Sequence, residues 1–327
     1  MNYKLLILAI FFCHSLYAQD NTEKPKREYV AYTLFCNVVP DNCNIPLVGL
    51  VNVALGRHQS AQAGLVNTAI GNFTGAQFGL VNTNLKYTLG TQIGLVNTSL
   101  EKLDGLHLGL VNTALNSTLG AQVGLVNTSL EETTGLQLGL VNIAKKGISG
   151  FQIGLVNYAD NISGGIPIGL VSIVKNGGYY AFEMSGSELY PINFAFKFGL
   201  PQFYTYTKLS HNSTLRNVFA IGMGAGSLIP MGKNFYFNPE IEMLNSLSFE
   251  NFERDIHTYS LVAGFRYSLT NWLSVSVAPA LDLVNNSEVI GSYIVDWYRP
   301  FYSLKKMEVN DNWYFLLGAR AGVSVNF

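Results

Sequence analysis

Apolar and polar positions recur in this chain with two different rhythms, and the change between them comes near residue 177. From Pro46 to Asn176 one phrase, Gly-Leu-Val-Asn, begins at Gly49, Gly64, Gly79, Gly94, Gly109, Gly124, Gly139 and Gly154, with a variant, Gly-Leu-Val-Ser, at Gly169. The interval is 15 residues every time, without an insertion. From Tyr179 onward that interval disappears and long alternating runs replace it. Ile192, Phe194, Phe196 and Phe198 alternate with Asn193, Ala195, Lys197 and Gly199, and Phe235, Phe237, Ile241 and Met243 with Tyr236, Asn238, Glu240 and Glu242. Leu261, Ala263, Phe265 and Tyr267 face away from Ser260, Val262, Gly264 and Arg266. The last run sets Phe315, Leu317, Ala319, Ala321, Val323, Val325 and Phe327 against Gly318, Arg320, Gly322, Ser324 and Asn326.

Two architectures fit a unit of this length: one coil of a β-solenoid, with copies stacked in parallel, or one membrane strand plus a turn, all copies closing with the C-terminal strands into one large barrel. Three arguments favour the solenoid. Constant coil length is a requirement of stacking, whereas barrel loops are free to vary. Stacking also brings Asn52, Asn67, Asn82, Asn97, Asn112, Asn127, Asn142 and Asn157 into one column, where side-chain amides bond up and down. Antiparallel staves would send alternate asparagines to opposite ends, and a lipid-facing amide costs some kcal/mol if unpaired. Period-two counting then predicts Ile93, Leu95 and Ser99, or Leu108, Leu110 and Ala114, on the inner side with the asparagines. It places Gln92, Gly94, Val96 and Thr98 outside. Gly75, Gly90, Gly105, Gly120, Gly135, Gly150 and Gly165 recur where a bend with positive φ or a close approach between coils is expected. One coil cannot stand alone: ordering it costs ~20 kcal/mol, and a few buried aliphatics offset at most ~10 kcal/mol.

The alternating region predicts eight strands, near 179–185, 191–199, 202–208, 216–228, 234–248, 257–269, 272–284 and 313–327. Their connections mostly alternate longer and shorter, and an even count allows an antiparallel β-barrel to close without an exposed edge. A soluble β-sandwich, which also alternates, is the competing reading. The expected organisation is thus all-β: residues 1–18 a signal peptide, 19–45 an N-terminal strand (Tyr29 to Val38) and linker, 46–176 nine repeats, and 177–327 the barrel.

Composition sharpens the address. Charged residues make up 13% of the chain against 48% apolar, and the formal charge is −1, so no broad basic face exists for nucleic acid. Lys4, the apolar run Leu5 to Phe12 and Leu16-Tyr17-Ala18 form an export signal too short to span a bilayer, with cleavage expected after Ala18. Cys13 lies inside it, behind Phe12, which argues against a lipid-anchored start. Cys36 and Cys43 then remain, either bridged in an oxidising compartment or unpaired near a strand end.

Candidate chemistry is sparse. His14, His58, His107, His211 and His257 show no metal-ligand spacing, and His107 stands where other copies carry Gln92, Gln122 or Gln137, which predicts an outward polar residue. Gly222-Met223-Gly224-Ala225-Gly226 resembles a dinucleotide fingerprint only superficially, since it sits in an alternating strand with no helix after it. Glu240 and Glu242 share a strand face as an acid pair would; inside a narrow barrel they are expected to pair with Lys197, Arg266 or Arg320. Trp272, Trp297 and Trp313 lie near strand ends or in a loop, as interfacial aromatics do. No catalytic constellation, cofactor motif or metal site emerges.

The Gly-Leu-Val-Asn units, the closing stretch Pro167 to Gly177 and the tyrosine-rich strands after it resemble surface-repeat proteins of Gram-negative bacteria, particularly Bacteroidota. The terminal strand ending in Phe327 looks like the C-terminal signal by which the barrel-insertion machinery recognises outer-membrane barrels. The resemblance implies an outer-membrane or cell-surface address, with membrane lipid and that machinery as partners, and carries no activity. The expected function is non-enzymatic, structural or binding. The alternatives are a porin or transporter, should the repeats be barrel staves, and a secreted adhesin or glycan binder, should nothing enter the membrane.

Overall fold

The structure, a computed structural model, describes residues 31–212, 218–247, 257–285, 307–310 and 313–327. The expected signal peptide, Cys13, His14 and Trp297 lie outside the described residues. Among those described there is no helix: the chain is a parallel β-solenoid followed by a closed antiparallel β-barrel.

The repeats stack as coils, so the single wide barrel is excluded. Val96–Ser99 pairs in parallel with Val81–Asn84 on one side and Val111–Ala114 on the other, which sets Asn97 between Asn82 and Asn112. Leu103–Leu108 lies between Thr88–Ile93 and Thr118–Val123 in the same way. Bends separate these segments. At Gly94–Leu95 the chain turns a corner, and the backbone N–H groups of Leu110 and Val111 both donate to Leu95 O (2.9 and 3.0 Å). Gly105 has φ +143°, and a Cβ there would run into Gly90 O of the coil before it. Glycine is therefore required in that column on both of the expected counts. The last copy departs from the pattern, with the positive φ at Gly164 and not at Gly165.

The corner overturns half of the inside–outside expectation. Ser99 and Ala114 are fully buried, as expected, but Leu95, Leu108 and Leu110 are exposed, Ile93 is half-buried, and Gln92 is fully buried. Alternation holds within each strand, but the two-residue bend between Gln92 and Asn97 reverses its phase, so residues five apart share the interior. The core is accordingly narrow. It holds an asparagine column, a glutamine column, small residues such as Ala69, Ser99 and Ala114, and a fourth column containing Phe73, Thr88, Leu103 and Ile148.

The N-terminal strand is shorter than expected, Cys36–Val39, and is itself a coil strand paired in parallel with Val51–Ala54. Ahead of it the chain folds back: Ala31 and Val38 exchange backbone hydrogen bonds, and Thr33 N donates to Asn37 Oδ1 (2.7 Å). Cys36 and Cys43 are free thiols.

Eight strands build the barrel: β1 (Tyr179–Gly186), β2 (Ile192–Leu200), β3 (Phe203–Asn212), β4 (Val218–Gly226), β5 (Phe235–Leu247), β6 (His257–Ser268), β7 (Leu273–Asn285) and β8 (Trp313–Asn326). Each pairs with the next, and β1 pairs with β8 from Ala181↔Asn326 to Gly186↔Ala321, closing the sheet. Two short strands, Ile229–Pro230 and Met307–Asn310, attach to β5 and β8. The expected strands are thus all present, and closure removes the edges that a sandwich would leave.

The last coil rests on the outer wall of the barrel. Tyr204 and Tyr206 point into the bore, so Thr205 between them faces out, and its Oγ1 donates to Gly169 O (2.5 Å). Nearby, Tyr180 Oη accepts from Val174 N (2.5 Å) and donates to Val174 O (2.7 Å). Both contacts lie at the rim that carries the short Leu200–Phe203 and Ser268–Leu273 turns and the C-terminus.

Candidate functional surfaces and the barrel interior

The interior of the barrel is charged and full. Lys197 Nζ, on β2, donates to Glu183 Oε2 (2.8 Å) and Glu240 Oε1 (2.6 Å), and is 2% exposed. Glu242 accepts from Lys208 Nζ (3.0 and 3.2 Å), Tyr206 Oη (3.0 Å) and Arg320 Nη1 (2.5 Å), whose Nη2 reaches Asp282 Oδ1 (2.9 Å). Lys197 and Arg320 each lie between two carboxylates and Lys208 meets Glu242 alone, pairing that makes buried charge tolerable. The two glutamates pair as expected with Lys197 and Arg320. Arg266 does not join them; its guanidinium donates to Tyr179 Oη and to Asn326 Oδ1 (2.6 Å), on the short-turn side of the bore. At the other end, the connection between β1 and β2 folds inward and buries Glu188, Leu189 and Tyr190, where Leu189 and Tyr190 pack with Ala220, Leu244, Val284 and Leu316. Asn212 Nδ2 holds that connection through Leu189 O (2.7 Å).

The outer face of the barrel is the inverse. Phe196, Ile221, Ile241, Leu261, Val277 and Leu317 are exposed, while the residues beside them along each strand point inward. The glycines of the 222–226 stretch serve this wall: a Cβ at Gly224 would strike the Tyr206 ring, and one at Gly226 the Tyr204 hydroxyl. Packing, and not nucleotide binding, explains that motif. Trp272 is exposed at the β6–β7 turn, and Phe327 is exposed with its N–H bonded to Tyr180 O (3.1 Å). No protein-family model matches the chain, and no curated protein matches its sequence.

In the solenoid, the asparagine column is continuous. From Asn52 to Asn142 each Nδ2 donates to the next copy's Oδ1 (2.8–2.9 Å) and to a main-chain carbonyl 11 residues on (2.9–3.0 Å). Asn37 extends it at the top (Nδ2 to Asn52 Oδ1, 2.7 Å), and Asn157 ends it on Ser172 Oγ (3.3 Å). Asn37 was findable in the sequence, standing 15 residues before Asn52. The glutamine column, which period-two counting places outside, is buried. Gln77 donates to Gln62 and Gln92 to Gln77 (2.6 Å each), and lower down Gln137 to Gln122 and Gln152 to Gln137 (2.8 Å each).

His107 interrupts this second column, and it is fully buried rather than outward. Its Nε2 meets Ser99 Oγ (3.1 Å), while His107 Nδ1 and Gln92 Oε1 have no partner. Burial holds the imidazole pKa down, to about 3. H107Q is expected to complete the column and raise solenoid stability by about 1 kcal/mol near pH 7.5. The difference widens in acid. Because the folded-state pKa lies below the unfolded value, wild-type stability is complete above about pH 6.5 and is lost as pH falls toward about 3, by about 2 kcal/mol at pH 5. Denaturant titrations of both proteins at pH 7.5 and pH 5, followed by far-UV circular dichroism, test this; an equal gap at both pH values refutes it.

Other histidines are dispersed. His58 Nδ1 bonds Cys43 O (2.7 Å) and its ring stacks on Phe73, His211 lies against Phe219, and His257 Nδ1 meets Asn245 Oδ1 (2.7 Å). Among the described residues no group of three or more His, Cys, Asp or Glu could hold a metal ion.

Outside, each coil exposes the leucine of its repeated phrase. Leu50, Leu65, Leu80, Leu95, Leu110, Leu125, Leu140 and Leu155 form one row, each 45–54% exposed. A second row, including Phe78, Leu108, Leu138 and Ile153, runs beside it, with Gly79, Gly94, Gly109, Gly124 and Gly139 forming the floor of the groove between.

Proposed function

We propose that this is a non-enzymatic outer-membrane protein of a Gram-negative bacterium, in which an eight-stranded barrel anchors a β-solenoid serving as a structural or binding surface. The observation that carries the reading is the inversion of the barrel: exposed aliphatic and aromatic side chains on the wall, ion pairs in the bore. A water-soluble barrel gains nothing from that arrangement, whereas a bilayer solvates the wall and cannot reach the charges. An exported precursor with Phe327 as its insertion signal fits the same reading.

The filled bore argues against a porin. Eight strands leave an interior that side chains occupy, and here the Lys197 and Arg320 ion pairs and the folded β1–β2 connection occupy it. Purified full-length protein is expected to resist carbonate extraction, to migrate differently on gels before and after boiling, and to give no stepwise conductance in planar bilayers. Release by carbonate without detergent would transfer the case to a secreted adhesin, and unitary conductance to a channel.

Orientation follows from the rims. The short turns from β2 to β3 and from β6 to β7 share one rim with the longer connection over 227–234, and the ends of β3, β5 and β7 that lead into residues 213, 248 and 286 lie at the other. In outer-membrane barrels short turns face the periplasm, which supports a periplasmic solenoid. That differs from the surface address the resemblance implies. Protease added to intact cells is expected to spare the repeat, and its digestion from outside would reverse the orientation.

A further inference from the structure

The repeat carries its charge on one side only. In every copy, counting the first glycine of the phrase as position 1, positions 12 to 15 and 1 to 6 contain no Asp, Glu, Lys or Arg. Arg57, Lys102, Asp104, Glu132 and Lys145 and their neighbours all fall at positions 7 to 11, around the opposite turn of the coil, where Lys146 pairs with Glu131. The uncharged side is the one with the two exposed aliphatic rows and the glycine-floored groove. An exposed apolar surface that continues over so many coils, with charge confined to the far side, is more than scattered surface leucines amount to.

The place where this surface starts identifies its partner. The phrase of the last copy, Gly169-Leu170, is the segment seated on Thr205, on the outer wall of β3 at the short-turn rim. The leucine row thus begins on the wall side that meets lipid, not over the bore. It runs away from there for eight steps of ~4.8 Å, roughly 38 Å. We propose that the uncharged face of the solenoid lies on the membrane leaflet at that rim, its leucine row entering the boundary between headgroups and acyl chains while the charged turns stay in water. The face is a β counterpart of an amphipathic interfacial helix, uncharged and aliphatic on one side and polar on the other. Nine coils would lie along the membrane, and the surface left free to bind would be the charged side.

This inference rests on the barrel being in the membrane, and the test separates the two. Full-length protein with its natural cysteines replaced by serine is labelled with an environment-sensitive fluorophore at L95C on the leucine row, N116C on the charged turn, or I221C on the barrel wall. Each variant is reconstituted in vesicles of phosphatidylethanolamine and phosphatidylglycerol. All three sites are exposed, so folding is retained, and circular dichroism checks it. The expected result is quenching of the L95C and I221C labels by lipids brominated in the acyl chain and severalfold weaker quenching of both by aqueous iodide than of N116C. If only I221C meets the brominated lipid, the barrel reading stands and the interfacial solenoid is wrong. Were I221C also open to iodide and untouched by brominated lipid, both would fall. Protection of L95C from iodide without lipid quenching, lost on dilution to one protein per vesicle, would assign the face to a second copy and overturn the proposal.

Discussion

Replacing Asn97 by Asp is expected to destabilise the solenoid by at least about 4 kcal/mol, although the two side chains are nearly the same size. Asn97 Nδ2 donates to Asn112 Oδ1 (2.9 Å) and to Leu108 O (3.0 Å), while Asn97 Oδ1 accepts from Asn82 Nδ2 (2.9 Å). An aspartate keeps the acceptor and turns the donor into a second acceptor, facing two oxygens. The site has no exposed surface, so the charge cannot be hydrated and the group has no fixed cation to meet. Asn116 supplies the control. It is exposed on the polar turn and accepts from Ser117 N through Oδ1 (2.8 Å), a role that aspartate can keep. N116D should stay within about 0.5 kcal/mol of wild type. The chain's tryptophans all follow residue 270, so their fluorescence reports the barrel while circular dichroism also follows the coils. A loss of ellipticity at lower denaturant, with the fluorescence midpoint unmoved, is the expected signature. An N97D midpoint equal to that of N116D would show that the amide column does not hold the stack.

The second large effect belongs to the barrel. K197M removes the one cation that Glu183 and Glu240 share and leaves two carboxylates buried beside each other, at an expected cost of about 3–5 kcal/mol. Lys197 also stands over the Tyr204 and Tyr206 rings (5.4 Å to each centroid), so methionine keeps much of the packing and isolates the charge. The triple variant K197M/E183Q/E240Q should recover most of the loss, because neutral amides remove the repulsion. In detergent, the temperature at which the folded gel band disappears should fall for the single variant and rise again for the triple. Equal temperatures for wild type and K197M would mean that the charged bore contributes nothing to the barrel.

Much of the architecture was legible because both halves obey strong geometric rules. A repeat of fixed length without insertions favours stacked coils over barrel staves, whose loops are free to vary, and the alternation of Phe194, Phe196 and Phe198 with Ala195 and Lys197 separates two faces of a strand. The interior of the coil was less legible. Period-two counting presumes an unbroken strand, and Gly94-Leu95 breaks it, so Gln92 and His107 went to the wrong side. The repeating Gln-x-Gly-Leu-Val-Asn does not reveal that its Gln and Asn share one interior, since a bend leaves no mark on a residue count. Partners across the bore were half legible: Glu240 and Glu242 needed cations, and Lys197 and Arg320 were available. That Arg266 turns instead to Tyr179 and Asn326 depends on the relative height of strands, which alternation does not encode.

A parallel stack of identical rungs has an inherent hazard, because each terminal rung is a template for another molecule, as in a fibril. Here the asparagine column is capped at both ends. At the first rung Thr33 N occupies the asparagine acceptor at Asn37 and Ala31 is bonded to Val38. At the last, Ser172 replaces the asparagine and the barrel wall fills the next position. The asparagine column is therefore closed at both ends, and its length is set by the number of copies in the chain.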